Sequence, residues 1–210
     1  MNDPQITDKV TLMVPVTTDD RIAHIRQSWS LYECAFPSNE RRCFEKYVTL
    51  CERDPDFHPG LIYTENQWIG LMWFWDFEKS AYLEHFAICP DYRNGGLGGL
   101  ALDLFLRRFG TIILEVEPPR TPLTTRRVHF YQRHGLILTN DVYTHPGYET
   151  PDTPYELNLM STTEGWPRDK IDRFFDFLFA RVIQKERGRI WPCQIAAPSQ
   201  KKQGRDGISP

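Results

Sequence analysis

The sequence predicts a mixed α/β domain of the α+β kind, with a mostly antiparallel twisted sheet, flanking helices and a central βαβ crossover. Three observations carry that prediction. Residues 61–65, 68–77 and 81–89 are alternating or apolar segments separated only by Glu65-Asn66 and Glu78-Lys79-Ser80, the pattern of an antiparallel meander. The third segment runs through a glycine-rich turn into an amphipathic helix and then into a second apolar strand at residues 111–117, an order that implies a right-handed parallel crossover. Residues 136–144 and 155–161 then read as a closing hairpin.

Ahead of the meander, residues 10–16 alternate and are β-branched, which suits a first strand. Thr18 or Asp19 is placed to cap a helix that runs to about Phe36, where Pro37 ends it. A second helix is expected from Ser38, with Phe44, Tyr47, Val48 and Cys51 at helical spacing. Residues 54–60 hold two prolines and a glycine and read as a loop. Trp73, Phe74, Trp75 and Phe77 make the middle strand of the meander aromatic on both faces, which predicts an interior strand covered on each side. In the crossover helix Leu97, Leu100, Ala101, Leu104 and Phe105 form one stripe, and Gly110 stops it. Thr124 or Thr125 is expected to cap a short helix through His134, which Gly135 ends in the left-handed conformation. The loop at residues 145–152, rich in tyrosine and acid, is either a lid over a substrate or a stiff proline loop.

Past residue 162 the pattern changes. Pro167 opens a helix in which Ile171, Phe174, Phe175, Leu178, Phe179, Val182 and Ile183 share one face. Three segments are therefore expected: a domain at 1–162, an amphipathic helix at 163–187, and a partly disordered tail at 188–210 rich in Pro, Gly, Ser and Lys. The helix is expected to dock on its own domain, with pairing to a second copy as the alternative. Asp169, Asp172 and Asp176 on its polar face argue against a membrane surface.

Composition narrows the function. A chain of 210 residues can bury one sizeable core, and a net charge of -3 offers no basic face for nucleic acid. A neutral or cationic substrate is expected. The most apolar stretch, residues 68–75, is far too short to span a bilayer, and the first twenty residues carry four acidic side chains without the apolar run of a secretory signal. Five cysteines without C-x-x-C spacing suit reduced thiols in a cytoplasmic protein, with neither a metal site nor a catalytic thiol.

The glycine turn is where chemistry is expected. Arg93-Asn94-Gly95-Gly96-Leu97-Gly98-Gly99 leads directly into a helix, and unpaired N–H groups at a helix start receive phosphate well. No Lys-Ser or Lys-Thr pair follows, so it is not a Walker A loop. Gly96-Leu97-Gly98-Gly99-Leu100-Ala101 also matches the dinucleotide pattern G-x-G-x-x-A, with Glu115 nineteen residues (115 minus 96) beyond Gly96. Against that, Pro90-Asp91-Tyr92-Arg93 separate the strand from the glycines, and some eighty non-alternating residues come first. Glycines held only for tight helix packing are the third reading.

Arg93-x-x-Gly96-x-Gly98, preceded by Phe86-Ala87-Ile88-x-Pro90 and followed by Phe130-Tyr131-x-x-x-Gly135, resembles the signature of the GNAT superfamily of acetyl-CoA-dependent N-acyltransferases over about residues 10–160. The resemblance implies that the turn wraps the CoA pyrophosphate, that Phe86, Ala87 and Ile88 guide the pantetheine arm, and that the strands flanking the crossover splay apart around the thioester. It also implies that Tyr131 protonates the departing thiolate. An Asn usual seven residues before that Tyr is replaced here by Thr124. Arg126 and Arg127 are candidates for the cofactor's phosphates or are solvated.

Acetyl transfer to an amine needs a proton acceptor, a polarised carbonyl and a protonated leaving thiol. Backbone N–H groups beside Ala87 and Ile88 are expected to meet the carbonyl oxygen if the strand opens there. Glu84 is a carboxylate in an otherwise apolar strand, costly unless used or paired, and is the expected general base, directly or through water. Alternation puts it on one face with Tyr82, Phe86 and Ile88, and puts His85 on the other. The expected function is transfer of acetyl from acetyl-CoA to a primary amine, on a small molecule or a peptide, by direct attack in a ternary complex. The alternatives are a nicotinamide-dependent oxidoreductase and a CoA-binding module that does not turn over.

Overall fold

The computed structural model describes residues 9–148, 154–163 and 166–184. Among the described residues seven strands form one sheet in the order β1-β2-β3-β4-β5-β7-β6. They are β1 (Thr11–Met13), β2 (Phe57–Thr64), β3 (Gln67–Phe77), β4 (Ser80–Ile88), β5 (Ile112–Val116), β6 (Ile137–His145) and β7 (Tyr155–Ser161). Every neighbouring pair is antiparallel except β4 and β5, which α3 (Leu97–Phe109) connects. The mixed, mostly antiparallel sheet with one parallel crossover is thus observed as expected.

Each face of the sheet buries its own core. On one side α1 (Thr18–Ala35), α2 (Phe44–Arg53) and α5 (Arg168–Phe177) pack over Trp73, Trp75, Tyr82 and Ile113. On the other, α3 and α4 (Pro122–Arg133) cover Met72, Phe74, Leu83 and Leu114. The aromatic run in β3 is therefore divided by the pleat, with Trp73 and Trp75 on one face and Phe74 on the other, and all three are buried. The apolar stripe of α5 continues through a π-helical segment, Leu178–Ile183, and Phe174, Phe175, Leu178 and Val182 join the first core, as docking on its own domain requires. Residues 149–152 of the expected lid and the tail at 188–210, with Cys193, lie outside the described residues.

Local departures have local causes. The cap of α1 is Thr17, whose side chain accepts from the Asp20 N–H, and α4 is capped by Thr121 in a reciprocal pair with Thr124. Residues 38–40 form a separate 3-10 turn, so α2 starts only at Phe44. The expected loop at 54–60 is strand from Phe57: β1 pairs no further than Met13 with Leu61, so buried Pro59 has no strand partner on that side and its missing N–H is tolerated.

Candidate active site

The β4–β5 pairing is short, and that opens the site. It runs from Ala81 opposite Ile112 to Leu83 opposite Leu114 and stops, although β4 continues to Ile88 and β5 to Val116. Beyond Leu83 the two strands part, as the resemblance implied. A cavity of about 520 Å³ occupies the gap and is lined by Glu84 through Ile88 on one side and Leu114 through Glu117 on the other. Ala35 to Pro37, Glu40, Arg93, Arg127, Tyr131, Tyr148 and Tyr155 are among its other walls.

The glycine turn stands at the end of β4. Gly96 caps α3 with φ 79°, a left-handed conformation that favours glycine, and Asn94 is left-handed too. Leu97, Gly98 and Gly99 are the first three residues of α3, so their N–H groups have no partner within the helix. A side chain on Gly98 would meet only Ile88 at 3.4 Å and Phe86 at 3.8 Å, ordinary contacts, and one on Gly95 would meet nothing within 4 Å. The protein's own packing therefore does not demand glycine at either place, whereas a ligand lying against the backbone does. Gly99 differs, because a Cβ there would stand 2.9 Å from His134, whose Nδ1 is 2.6 Å from Asp103 of α3. Arg93 turns back to donate from Nε to the Ile88 carbonyl at 2.8 Å, which fixes the turn against the strand end. These residues fit a pyrophosphate. Phe86, Ala87 and Ile88 line the cavity leading from it.

Backbone direction supplies donors in the gap. The Cys89 N–H bonds to Ile69 on the β3 side, so alternation turns the N–H groups of Phe86 and Ile88 toward the open side, rather than that of Ala87. Half-buried Tyr131 of α4 lines the same cavity. Burial pushes its phenol up to about 12, with Arg127 pulling the other way, so it keeps its proton near neutral pH. Thr124, in the place of the usual Asn, is consumed by the capping pair with Thr121. Arg127 donates to Glu117 at 2.5 Å.

Glu84 sits in an unexpected environment. Trp73 pairs with His85 and Phe74 with Leu83, so Glu84 is the extra residue of a β-bulge. A one-residue bulge shifts the alternation. Glu84 shares the face of Tyr82 as expected, but Phe86 and Ile88 lie on the opposite face, against α3. His85 lies on the same face as Glu84, its Nε2 3.5 Å from Glu84 Oε1 and its ring against Tyr32 and Phe36. The expected placement of His85 on the opposite face is thus corrected.

The Glu84 carboxylate is fully engaged. Arg42 Nη1 donates to Oε1 at 2.5 Å, the Tyr148 hydroxyl to Oε1 at 2.8 Å and Trp75 Nε1 to Oε2 at 2.6 Å. Arg42 also donates to Tyr47 and to the Val182 carbonyl and lies under the Tyr148 ring at 3.9 Å. Burial alone would raise the Glu84 pKa, but the Arg42 charge, His85 and the donated hydrogen bonds override it and bring it down to about 2. A carboxylate held that firmly is a weak proton acceptor.

Glu115, the corresponding residue of β5, is the reverse. It accepts hydrogen bonds from the Tyr82 hydroxyl at 2.6 Å and from the Tyr143 hydroxyl, with no cation in contact among the described residues. Burial raises its pKa to about 7, against the pull of those hydrogen bonds and with a push from Glu84 and Glu40. Sequence reading puts Glu84 first and names Glu115, with Glu117, only as another carboxylate that could take the proton if Glu84 is an anchor for a cationic substrate. The signal present was a second carboxylate in a buried apolar strand, one residue past the crossover's last pair.

The family model for the GNAT acetyltransferases matches residues 25–136, the span that holds the parted strands and the glycine turn. The chain belongs to the GNAT acetyltransferase family. A GNAT-family protein of Bacteroides thetaiotaomicron is 31% identical, with 84% of this chain and 99% of that one aligned at a TM-score of 0.76. The ribosomal-protein-S18-alanine N-acetyltransferase of Escherichia coli (18% identity, 76% and 97% of the chains, TM-score 0.51) and a spermidine N-acetyltransferase variant of Vibrio cholerae (14%, 78% and 99%, TM-score 0.54) share the fold. No curated protein matches the sequence. GNAT membership and the mostly antiparallel sheet leave the dinucleotide reading of the glycine turn without support. No described helix is long and apolar enough to cross a membrane.

Proposed function

We propose that this GNAT protein transfers acetyl from acetyl-CoA to a primary amine by direct attack in a ternary complex, with Glu115 as the proton acceptor and Tyr131 as the proton donor. The observation that carries the assignment is the position of Glu115, in the gap one residue past the last β4–β5 pair, with two phenols and no cation in contact among the described residues. The bound co-substrate supplies the acetyl thioester. Backbone N–H groups of Leu97, Gly98 and Gly99 hold its pyrophosphate, and Phe86 to Ile88 flank its arm. The N–H groups of Phe86 and Ile88 face the carbonyl oxygen as negative charge develops there.

A carboxyl near pH 7 is half ionised at neutral pH and is matched to taking a proton from an ammonium or from a water beside it. The protonated phenol of Tyr131 serves the departing sulfur. Glu84 holds Arg42 and Tyr148 in place and is a positioning residue, not the base. Thiol release measured against pH tests the division of roles. Wild-type kcat/KM should rise through a pKa near 7, below the amine's own near 10. Glu115→Gln should abolish that limb and lower kcat/KM by about 10²- to 10⁴-fold. A limb that survives in Glu115→Gln and vanishes in Glu84→Gln overturns the assignment.

A further inference from the structure

Carboxyl groups outnumber guanidinium groups in the walls of the cavity. Four carboxylates line it: Glu40, Glu84, Glu115 and Glu117. Arg42 takes Glu84 and Arg127 takes Glu117. Arg93 also lines the cavity but donates to the Ile88 carbonyl. Glu115 has two phenols, and Glu40 has no ion pair or side-chain hydrogen bond among the described residues; burial and Glu117 push its pKa up to about 7 while Arg127 pulls it back, so a bound ammonium would complete its ionisation. A second cavity, of about 380 Å³, continues outward past Glu40 and shares Pro37, Glu117 and Tyr155 with the first. Its further acid, Glu156, is paired with Arg120, so Glu40 is again the carboxylate left over.

An independent feature shows that the inner cavity is built for a polar occupant. His85 is only 4% exposed and lines it, yet neither ring nitrogen has a hydrogen-bond partner. Burial keeps the ring neutral, lowering its pKa to about 4, so it offers one donor and one acceptor nitrogen. Its Nε2 stands 3.5 Å from Glu84 Oε1 without a hydrogen bond, and a buried imidazole whose nitrogens lack hydrogen bonds is costly unless something else completes it.

We infer that the acceptor is an elongated amine with a second positive charge, a diamine or oligoamine, whose reacting nitrogen lies between Glu115 and His85 and whose far ammonium is received by Glu40 beside Tyr155. This rests on the acetyl-transfer reading above. Carboxylates with aromatic neighbours bind an alkylammonium through charge and ring faces together. An acceptor ending in a carboxylate would instead meet Glu40 with like charge.

Three four-carbon amines that differ only at the far end test it: putrescine (ammonium), n-butylamine (methyl) and γ-aminobutyrate (carboxylate). Thiol release and calorimetric binding to the CoA-loaded protein are read for each, in wild type and in Glu40→Gln, with thermal unfolding to confirm that the variant folds. The expected kcat/KM order is putrescine, n-butylamine, γ-aminobutyrate, with roughly a tenfold or greater gap between the first two, and Glu40→Gln should collapse that gap to near one. n-Butylamine equal to or better than putrescine, or a preference that survives Glu40→Gln, overturns the inference. No thiol release from any of the three, with binding still in the expected order, overturns the acetyl-transfer reading while retaining the charge preference. Neither release nor binding overturns both.

Discussion

Glu84 and Glu115 occupy matching places on neighbouring parallel strands, each one residue past the last pair of the crossover, Leu83 with Leu114. Their surroundings set them apart. Glu84 faces a guanidinium, an indole N–H and a phenol and falls to about 2, whereas Glu115 faces two phenols and, among the described residues, no cation in contact, and rises to about 7. Both are buried, so desolvation pushes both upward; the difference comes first from the Arg42 charge and then from His85 and the bond donated by Trp75. Strand position brings a carboxylate to the gap, and the residue that reaches it from another element decides whether it anchors structure or moves protons.

Removing Arg42 should have the largest effect on stability. Arg42→Met leaves Glu84 buried and unpaired and should destabilise the fold by about 3–5 kcal/mol in denaturant unfolding, whereas Arg42→Met with Glu84→Leu should recover most of it. A double variant no more stable than the single would mean that Arg42 acts through Tyr47 and Val182 instead. Lost stability in acid should be slightly smaller. The Glu84 pKa is depressed in the folded state, so its contribution is fully present above the unfolded value near 4.5 and is lost as pH falls toward about 2. Its size is about 3 kcal/mol at roughly 1.36 kcal/mol per pH unit. Glu115 carries the opposite sign: its folded pKa is raised, so stability present below about 4.5 declines as pH rises through about 7. Urea unfolding at pH 2.5, 5 and 8 in wild type, Glu84→Gln and Glu115→Gln separates the two slopes. The smallest of these effects belongs to Tyr131→Phe, which should lower kcat about a hundredfold with little change in the KM for acetyl-CoA, because the phenol acts on the departing sulfur. An unchanged kcat, with chemistry rate-limiting, would make Tyr131 a core residue alone.

The fold was legible because its signals are local. Alternation marked β3 and β4, glycines marked the turn into α3, and the stripe from Ile171 to Ile183 marked the last helix. The site was legible only where its parts are contiguous, as at Arg93 to Gly99. The Glu84 bulge gives no sequence signal of its own, and because it inserts one residue into β4 it reversed the facing of His85, Phe86 and Ile88. Arg42 was invisible for another reason. Its contacts lie 42 residues away at Glu84 and 140 away at the Val182 carbonyl, and one of two adjacent arginines in an expected helix carries no local signal of either. That contact also shows why the π-helical segment after α5 matters to the site: the carbonyl that steadies Arg42 lies outside the span that the family model matches, residues 25–136.

The contrast between the two carboxylates can be observed directly. In protein labelled with ¹³C at glutamate side chains, the carboxyl resonances are followed by NMR from acid to neutral pH, with Glu84→Gln and Glu115→Gln assigning the two signals. Glu115 should titrate near pH 7 while Glu84 stays ionised until the pH falls well below 4. Glu84 titrating near neutrality, or Glu115 titrating at the ordinary value near 4.5, would contradict the account.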